Sequence, residues 1–504
     1  MKNKTKKITA ILIVLALILT TGITGAKNTL LLETVYNAEA AFMTPGADML
    51  KMNFAWYYNT DSTGASVQIA KKADLDAGKM PSNAQVFNGN VSNATEGKTT
   101  NKVTVSGLTP NTEYAYRVGD SEKNSWDPIN YFKTGDPESY EVIFVADVQV
   151  DSSITIQNWR NNLDKALQTA PNASFILNGG DNVNEGKPEE NWTEMLSIPQ
   201  LKSLPMVSTI GNHDIYTNFY SYRYNNPNSY PNQNFFLSYG NTLYIFINGV
   251  NRDFALHRQT VSDAVKSHLD AAWKVLTIHH DLYGGAKWSI TGGDSEVSVV
   301  PMRNGLYPII DEFEIDVVFS GHDHCFSRSH FMKDNTVQIN QSIEDKDFLS
   351  EDAGTYKNPA GTLYIAGNTM TGIKYYNPNN PPSFWEAITR QLYLPEYMVI
   401  SVTNTNFTIK TYRPDTQQLL DSIILAKDEK ITQTTTIITT SLKGDINLDN
   451  KVNGMDLLLM KQNILGINGK ELIKGTQPYI NADMNDDGKI NGIDLPLLKK
   501  KILS

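Results

Sequence analysis

Five of the eight histidines in this chain lie in short polar motifs that also hold aspartate, asparagine and glutamine. Imidazole, carboxylate and amide groups are donors that bind divalent metal ions, which can activate water for hydrolysis. Because the motifs follow one another in ordered succession, we interpret them as parts of a single metal site. They are Asp147-Val-Gln149, Gly180-Asp181, Gly211-Asn212-His213-Asp214, His279-His280 and Gly321-His322-Asp-His324.

Two acidic loops near the C-terminus indicate a second kind of chemistry. Each places oxygen-bearing groups at calcium-loop spacing, with the lysine at position seven contributing its backbone carbonyl. Two such loops in the same register predict a small module organised by two Ca²⁺ ions. The predicted ligands are Asp445, Asn447, Asp449, Lys451 and Asp456 in the first loop and Asp483, Asn485, Asp487, Lys489 and Asp494 in the second.

Each histidine or aspartate motif follows an apolar run of strand type. From residue 140 such runs alternate with helical segments, which is the pattern of an α/β layered domain. Site residues of α/β folds collect at the carboxyl ends of strands, so we expect the motifs to share one edge of the fold. The runs before the motifs are 141–145, 174–177, 207–210, 275–278 and 317–319, and runs 362–365, 397–402, 407–411 and 422–425 are predicted to close the domain.

Upstream, residues 41–136 contain short alternating runs separated by turn signals, as in 53–58 and 114–118. This pattern predicts a β-sandwich. We interpret the sandwich as a spacer that packs on its neighbour, and we assign no site to it.

The N-terminus carries four lysines within residues 2–7, followed by an apolar run, 8–19. That order predicts a secretory signal peptide over residues 1–26, with cleavage as late as residue 40 as the alternative, and no membrane anchor after cleavage. A formal net charge of −10 argues against a surface that coats nucleic acid, and the single cysteine excludes an internal disulfide. Threonine-rich residues 428–442 predict a linker.

The ordered set of motifs resembles the calcineurin-like metallophosphoesterase superfamily over about residues 139–427. The preceding sandwich and the strings 321–328 and 361–367 resemble its purple acid phosphatase branch. The resemblance implies a multidomain chain in which a fibronectin-III-like β-sandwich precedes a four-layer α/β/β/α sandwich. It also implies two metal ions, divalent or of mixed valence, drawn from Fe, Zn and Mn.

The resemblance assigns roles to the motif residues. Asp181 would bridge the two ions, and a hydroxide held by the ions would attack phosphorus. His213, oriented by Asp214, would protonate the leaving oxygen. The remaining ligands divide between the ions, with Asp147 and His324 for the first and Asn212, His279 and His322 for the second.

Two positions depart from the patterns of the branch or of the wider superfamily, and both bear on the first ion. Asn184 stands where purple acid phosphatases have a tyrosine ligand, and Gln149 stands where most superfamily members have a histidine. Each keeps an amide oxygen as a weak ligand, so we expect a lower affinity for the first ion and no tyrosinate-to-iron(III) colour. His280 either substitutes in part for histidines missing from residues 283–299 or faces solvent.

The two calcium loops, each followed by an apolar helical stretch, resemble a type I dockerin over residues 443–504. The resemblance implies a small α-helical domain with two F-hand-like loops, and a cohesin domain of a cellulosomal scaffold as its partner. It places Gly454-Met455 and Gly492-Ile493 on the contacting helices. An extracellular, cellulosome-associated protein follows from it.

These features predict a secreted, cellulosome-docked phosphomonoesterase of the acid phosphatase type that acts on a phosphate ester. Two alternatives stay open. One is a phosphodiesterase or nucleotide hydrolase on the same site, and the other is a degenerate metal-binding module whose role is docking. Leaving-group specificity depends on loops 216–234 and 284–300, which carry no recognisable code.

Overall fold

The computed structural model describes residues 34–428, 443–447, 451–467, 472, 477–485 and 487–503. The chain divides into two compact units, residues 1–427 and residues 428–504. The predicted signal peptide, residues 429–442 of the predicted linker, and Asp449 lie outside the described residues. No helix in the described ranges is long and apolar enough to cross a membrane.

Two β-sheets packed face to face form the N-terminal part of the first unit. Their strands are β1 (Thr34–Val35), β2 (Glu39–Pro45), β3 (Lys51–Asn59), β4 (Ser66–Lys71), β5 (Gln85–Asn88), β6 (Asn90–Asn93), β7 (Lys98–Ser106), β8 (Glu113–Asp120), β9 (Ser125–Trp126) and β10 (Asn130–Lys133). One sheet has the order β1-β9-β8-β4-β5 with β10 beside β8, and the other has the order β2-β3-β7-β6. Alternating apolar residues of both sheets form a shared core, so the predicted β-sandwich is confirmed.

Strand β3 is buried on both of its faces. Phe54 and Trp56 point into the core of the sandwich, whereas Ala55 belongs to a cluster formed mainly by the second part of the unit. Asn53 Nδ2 donates to the backbone carbonyl of Asn225 at 2.7 Å. The sandwich therefore packs firmly on its neighbour.

The second part of the unit contains two further sheets and six helices. Its strands are β11 (Ser139–Val145), β12 (Ala173–Asn178), β13 (Met206–Ser208), β14 (Phe235–Tyr239), β15 (Thr242–Ile247), β16 (Trp273–Ile278), β17 (Val317–Ser320), β18 (Phe326–Lys333), β19 (Thr336–Gln338), β20 (Asp352–Lys357), β21 (Thr362–Ala366), β22 (Glu386–Arg390), β23 (Tyr397–Thr403), β24 (Asn406–Tyr412) and β25 (Leu419–Ala426). Its helices are α1 (Ser153–Thr169), α2 (Glu189–Leu196), α3 (Phe219–Arg223), α4 (Phe254–Ser267), α5 (Lys287–Ile290) and α6 (Val300–Glu312).

These elements stack in four layers. One sheet has the order β13-β12-β11-β23-β24-β25-β20, and the other has the order β14-β15-β16-β17-β21-β18-β19 with β22 beside β18. Phe144 and Phe319, with ring centroids 4.9 Å apart, pack in the core between the sheets. Trp159 of α1 covers the outer face of the first sheet, and Leu306 of α6 covers that of the second. This is the α/β/β/α architecture that the sequence predicted.

Helix α1 begins where the sequence supplies a cap. The Ser152 side chain accepts the backbone N–H of Thr155, and the Thr155 side chain accepts that of Ser152. Trp159, Leu163 and Ala166 lie on one helical face and are buried. The capped start fixes the direction of the chain just after the first polar motif.

The C-terminal unit is small and helical among its described residues. Its helices are α7 (Gly454–Ile464), α8 (Gln477–Ala482) and α9 (Asp494–Leu503). Ile446, Met460, Ala482 and Leu498 form its core. The helices α7 and α9 begin within the last residues of the two predicted calcium loops and continue through the apolar stretches, as expected.

Candidate metal centre

The predicted ligands come together at the carboxyl ends of five strands. Strands β11, β12 and β13 run parallel in one sheet, and β16 and β17 run parallel in the other. Residues after these strands share one edge of the fold. They are Asp147 and Gln149 after β11, Asp181 after β12, Asn212 and His213 after β13, His279 after β16, and His322 and His324 after β17.

Four of these side chains form a buried carboxylate and imidazole cluster. Asp147, Asp181 and His279 bring ligand atoms within 4.8 Å of one another. His279 Nε2 lies 3.2 Å from Asp181 Oδ2, and His324 Nε2 lies 3.2 Å from Asp147 Oδ1. These atoms could face a shared cation.

The amide oxygen of Asn212 extends the cluster. Its Oδ1 lies 3.1 Å from His279 Nε2 and 3.1 Å from His322 Nδ1. Carboxylate, amide and imidazole donors are thus continuous from Asp147 to His322, with Asp181 near the middle. The order agrees with two neighbouring ion positions.

Backbone carbonyls fix the orientation of two of the imidazoles. His279 Nδ1 lies 3.0 Å from the carbonyl of Gly179, and His324 Nδ1 lies 3.0 Å from that of Lys374. Because a carbonyl only accepts, each Nδ1 carries a proton, and each ring turns its Nε2 toward a carboxylate oxygen. A metal ion can occupy the place between Nε2 and the carboxylate that a proton otherwise takes, so these rings fit metal ions.

Two buried oxygens of the site support the same conclusion. Among the described residues, Asp147 Oδ1 and Gln149 Oε1 have no hydrogen-bond partner. Leaving such a group unsatisfied costs about 1–3 kcal/mol. Gln149 Nε2 is already engaged with Asp181 Oδ2 at 3.2 Å, which leaves its oxygen free to act as the predicted weak ligand.

The electrostatics of the cluster favour positive charge. Burial lowers the pKa of His279, but the carboxylates of Asp181 and Asp147 overcome this effect and raise the pKa to about 9. Burial raises the pKa of Asp181, and the neighbouring His279 lowers it below its ordinary value. Metal ions would supply the positive charge that these carboxylates attract.

Five of the predicted ligands have strained backbone. Non-glycine residues adopt positive φ at a cost of roughly 1–2 kcal/mol each. Such strain persists where the surrounding structure enforces it, and it clusters at functional sites. The φ angles are 48° at Asp147, 43° at Gln149, 52° at Asp181, 71° at His322 and 44° at His324.

His213 lies beside the cluster with an unexpected ring partner. Its Nδ1 hydrogen-bonds the backbone carbonyl of Asn184, and its Nε2 lies 3.8 Å from Asp181 Oδ2. Asp214, predicted to orient His213, instead accepts backbone N–H groups of Gly211 at 2.9 Å and Asn182 at 3.0 Å. Asp214 therefore holds the loop, and Asn184 orients the ring.

The side chain of Asn184 does not join the cluster in the way predicted. Its Nδ2 donates to Asp151 Oδ2 at 2.8 Å, beside rather than within the group of ligands. The shorter amide does not extend as a tyrosine would. Asn184 therefore contributes through its backbone.

Sequence reasoning missed Asp294 and left His280 undecided. Asp294 Oδ2 lies 2.6 Å from His322 Nε2. His280 is buried, and its ring centroid lies 4.5 Å from that of His322. The three side chains bring ligand atoms within 4.8 Å of one another. The only signal was an aspartate after Gly292-Gly293 in a loop without a recognisable code.

A cavity of about 360 Å³ opens beside His213. Its lining includes Tyr216, an aromatic residue that is 58% exposed. A larger cavity, about 750 Å³, adjoins β10 and β11 and contains none of the predicted ligands. The smaller cavity is the relevant one because it adjoins the cluster; it is lined by Asn184, Glu185, Gly186, Lys187, His213 and Tyr216.

In the C-terminal unit, the last aspartate of each predicted calcium loop folds the loop back on itself. Asp456 accepts the backbone N–H of Ile446 at 2.7 Å and of Asn453 at 2.8 Å. Asp494 makes the equivalent bonds in the second loop. The described parts of the two loops therefore repeat one arrangement.

Family models match three parts of the chain. Residues 39–134 match the purple acid phosphatase N-terminal domain, residues 140–326 match calcineurin-like phosphoesterase, and residues 443–503 match the dockerin type I domain. A search of curated protein sequences finds no significant match.

Solved structures share the fold. A purple acid phosphatase from yellow lupin (Lupinus luteus) seeds superposes with a TM-score of 0.61 at 13% identity, covering 78% of this chain and 74% of that chain. GAP50, described as the anchor in the inner membrane complex of Plasmodium, gives 0.38 at 15% identity over 58% of this chain and 91% of that chain. The first similarity establishes the fold alone, and the second carries no argument.

The chain thus carries a calcineurin-like phosphoesterase domain, and by class it is a metal-dependent phosphoesterase. A purple acid phosphatase N-terminal domain precedes that domain, and a type I dockerin follows it. The three resemblances drawn from the motifs are confirmed.

Proposed function

We propose that this protein is a secreted phosphomonoesterase that uses two metal ions and docks on a cellulosome through its dockerin. The observation that carries the proposal is the convergence of buried ligand atoms around Asp181 and Asp147, whose carboxylate oxygens lie 3.2 Å from Nε2 of His279 and of His324. A degenerate, purely docking module is disfavoured because these atoms are oriented for ions.

When bound, the two ions would supply a water-derived nucleophile and neutralise the phosphoryl oxygens. Asp147 and His324 would hold the first ion, assisted by Gln149 Oε1. Asn212, His279 and His322 would hold the second, and Asp181 would contact both.

His213 is placed to move a proton. The Asn184 carbonyl accepts from Nδ1–H, so donation from Nε2 requires a ring that carries both protons. Its Nε2 lies 3.8 Å from Asp181 Oδ2, on the side of the proposed ions. His213 would then protonate the leaving oxygen of a substrate seated in the cavity at its side.

The cavity favours a leaving group of modest size. A volume of about 360 Å³ accommodates a small alcohol, a sugar or one aromatic ring. The exposed ring of Tyr216, with Lys187 Nζ 6.0 Å from its centroid, keeps a nucleotide hydrolase as the second candidate.

The test compares p-nitrophenyl phosphate with bis(p-nitrophenyl) phosphate, using the full-length protein loaded with zinc, manganese or ferrous iron. We expect metal-dependent turnover with a higher kcat/KM for the monoester. A higher kcat/KM for the diester would favour the phosphodiesterase alternative. No turnover of either ester by folded, metal-loaded protein would reject the enzyme.

The docking half of the proposal rests on the paired loops and on two exposed apolar side chains. Met455 is 52% exposed in the first turn of α7, and Ile493 is 60% exposed directly before α9. Such repeated apolar positions suit a cohesin surface.

Replacing Asp456 and Asp494 together with alanine should abolish calcium binding and reduce cohesin affinity at least about 100-fold, because a calcium loop depends on its last carboxylate. Binding to type I cohesins is measured by calorimetry with calcium and with EDTA. The paired Met455→Asp and Ile493→Asp variant should keep calcium binding and still lose the cohesin. Cohesin affinity that survives EDTA would contradict the prediction.

A further inference from the structure

We infer that Asp294 is a positioning residue of the second metal position: it accepts the Nε2–H of His322 and so directs the Nδ1 lone pair of His322 toward that position. The inference rests on the proposed two-ion function and deepens it.

The two nitrogens of His322 face different partners. Nε2 lies 2.6 Å from Asp294 Oδ2, and Nδ1 lies 3.1 Å from Asn212 Oδ1. An ionised carboxylate only accepts, so Nε2 carries a proton, and Nδ1 is the nitrogen left to bind a metal ion beside Asn212 Oδ1. A carboxylate behind a ligand histidine fixes its tautomer and raises its basicity.

This arrangement differs from that of the other two imidazoles. His279 and His324 are oriented by the neutral carbonyls of Gly179 and Lys374. Only His322 of these three has a carboxylate behind it. Its contact is therefore charge-assisted and stronger than a neutral hydrogen bond.

The loop that carries Asp294 is anchored to the same motif as His322. The backbone N–H of Ala286 donates to Asp323 Oδ2 at 3.0 Å, and the Ser289 hydroxyl donates to Asp323 Oδ1. Farther along, the Ser295 hydroxyl donates to the carbonyl of Ile290 at 2.7 Å. Asp323 follows His322 directly, so these bonds hold the loop that carries Asp294 beside the His322 ring.

The contact is largely protected from water. The side chain of Asp294 is 18% exposed and that of His322 is 9% exposed. The buried ring of His280, tilted by 38° at a centroid distance of 4.5 Å, packs against His322 and restricts its rotation. An interaction shielded in this way has more effect than an exposed ion pair.

The experiment titrates metal-free, full-length protein with Zn²⁺ in the presence of saturating Ca²⁺, which occupies the dockerin loops. In Asp294→Ala the second Zn²⁺ should bind about 10–100-fold more weakly, while the first is unchanged. Asp294→Asn, which keeps an acceptor oxygen without the charge, should fall between Ala and wild type. Glu296→Gln is the matched control, because Glu296 is exposed on the adjoining turn.

A second readout separates positioning from general loss of stability. Visible absorption of Co²⁺ at the second position reports its ligand field, and it should change in both Asp294 variants but not in Glu296→Gln. If folded Asp294→Ala binds two Zn²⁺ ions with wild-type affinity, the inference about Asp294 is wrong, but the proposed two-ion function stands. Wild-type protein that takes up fewer than two ions would overturn the proposed two-ion function, and the inference with it.

Discussion

Asp181→Ala protein should fold, lose its tightly bound metal and hydrolyse p-nitrophenyl phosphate at least about 10³-fold more slowly than wild type. Metal ions contribute several kcal/mol of charge stabilisation in such reactions, and each 1.36 kcal/mol is tenfold in rate. Asp181 is the carboxylate for which the loss should be largest, since it lies between the two proposed positions.

The contacts of Asp181 hold its carboxylate in one orientation. Its Oδ1 accepts the backbone N–H of His213 at 2.9 Å, and its Oδ2 lies 3.2 Å from both His279 Nε2 and Gln149 Nε2. A Cβ at Gly211 would lie 2.0 Å from Asp181 Oδ1, so the glycine leaves room for the carboxylate. Both carboxylate oxygens are therefore fixed in direction.

Metal content and kcat/KM are measured for Asp181→Ala and for the isosteric Asp181→Asn, with circular dichroism as the check on folding. Asp151→Asn is the matched control, because Asp151 binds the Asn184 side chain beside the cluster. Wild-type metal content and activity in folded Asp181→Asn would show that Asp181 does not bind the ions.

The strand-end site was predictable because it depends on local signals. The apolar runs that precede Asp147, Asp181 and His279 predict both a strand and the end of that strand at which the polar residue lies. The sequence did not predict which of the two sheets each closing strand would join. In the structure, β21 joins the sheet of β17, whereas β23, β24 and β25 extend the sheet of β11. Strand pairing between distant segments leaves little trace in either run.

The parts of the site that sequence did not predict depend on side-chain direction. Asp214 follows His213 directly, yet its carboxylate turns back to Gly211. Asn184 acts on His213 through its carbonyl, which any residue type possesses. Asp294 reaches His322 only because a loop without a motif is tied down at Asp323. Residue type and spacing do not encode these directions.

His213→Ala should reduce kcat/KM by about 10²–10⁴-fold for an alkyl phosphate and much less for p-nitrophenyl phosphate. The reason is that an alkoxide leaves poorly without a proton, whereas p-nitrophenolate leaves readily as an anion. The structure supports this role because Nε2 faces the cluster and the ring lines the adjoining cavity.

The measurement is a series of phosphate monoesters of decreasing leaving-group acidity, assayed with wild type, His213→Ala and His213→Gln. The dependence of rate on leaving-group acidity should steepen in both variants. His268→Ala is the matched control, since His268 caps α4 and bonds the Ala264 carbonyl away from the cluster. An equal loss for every ester would mean that His213 binds the phosphoryl group instead of donating a proton, because only proton donation depends on the leaving oxygen.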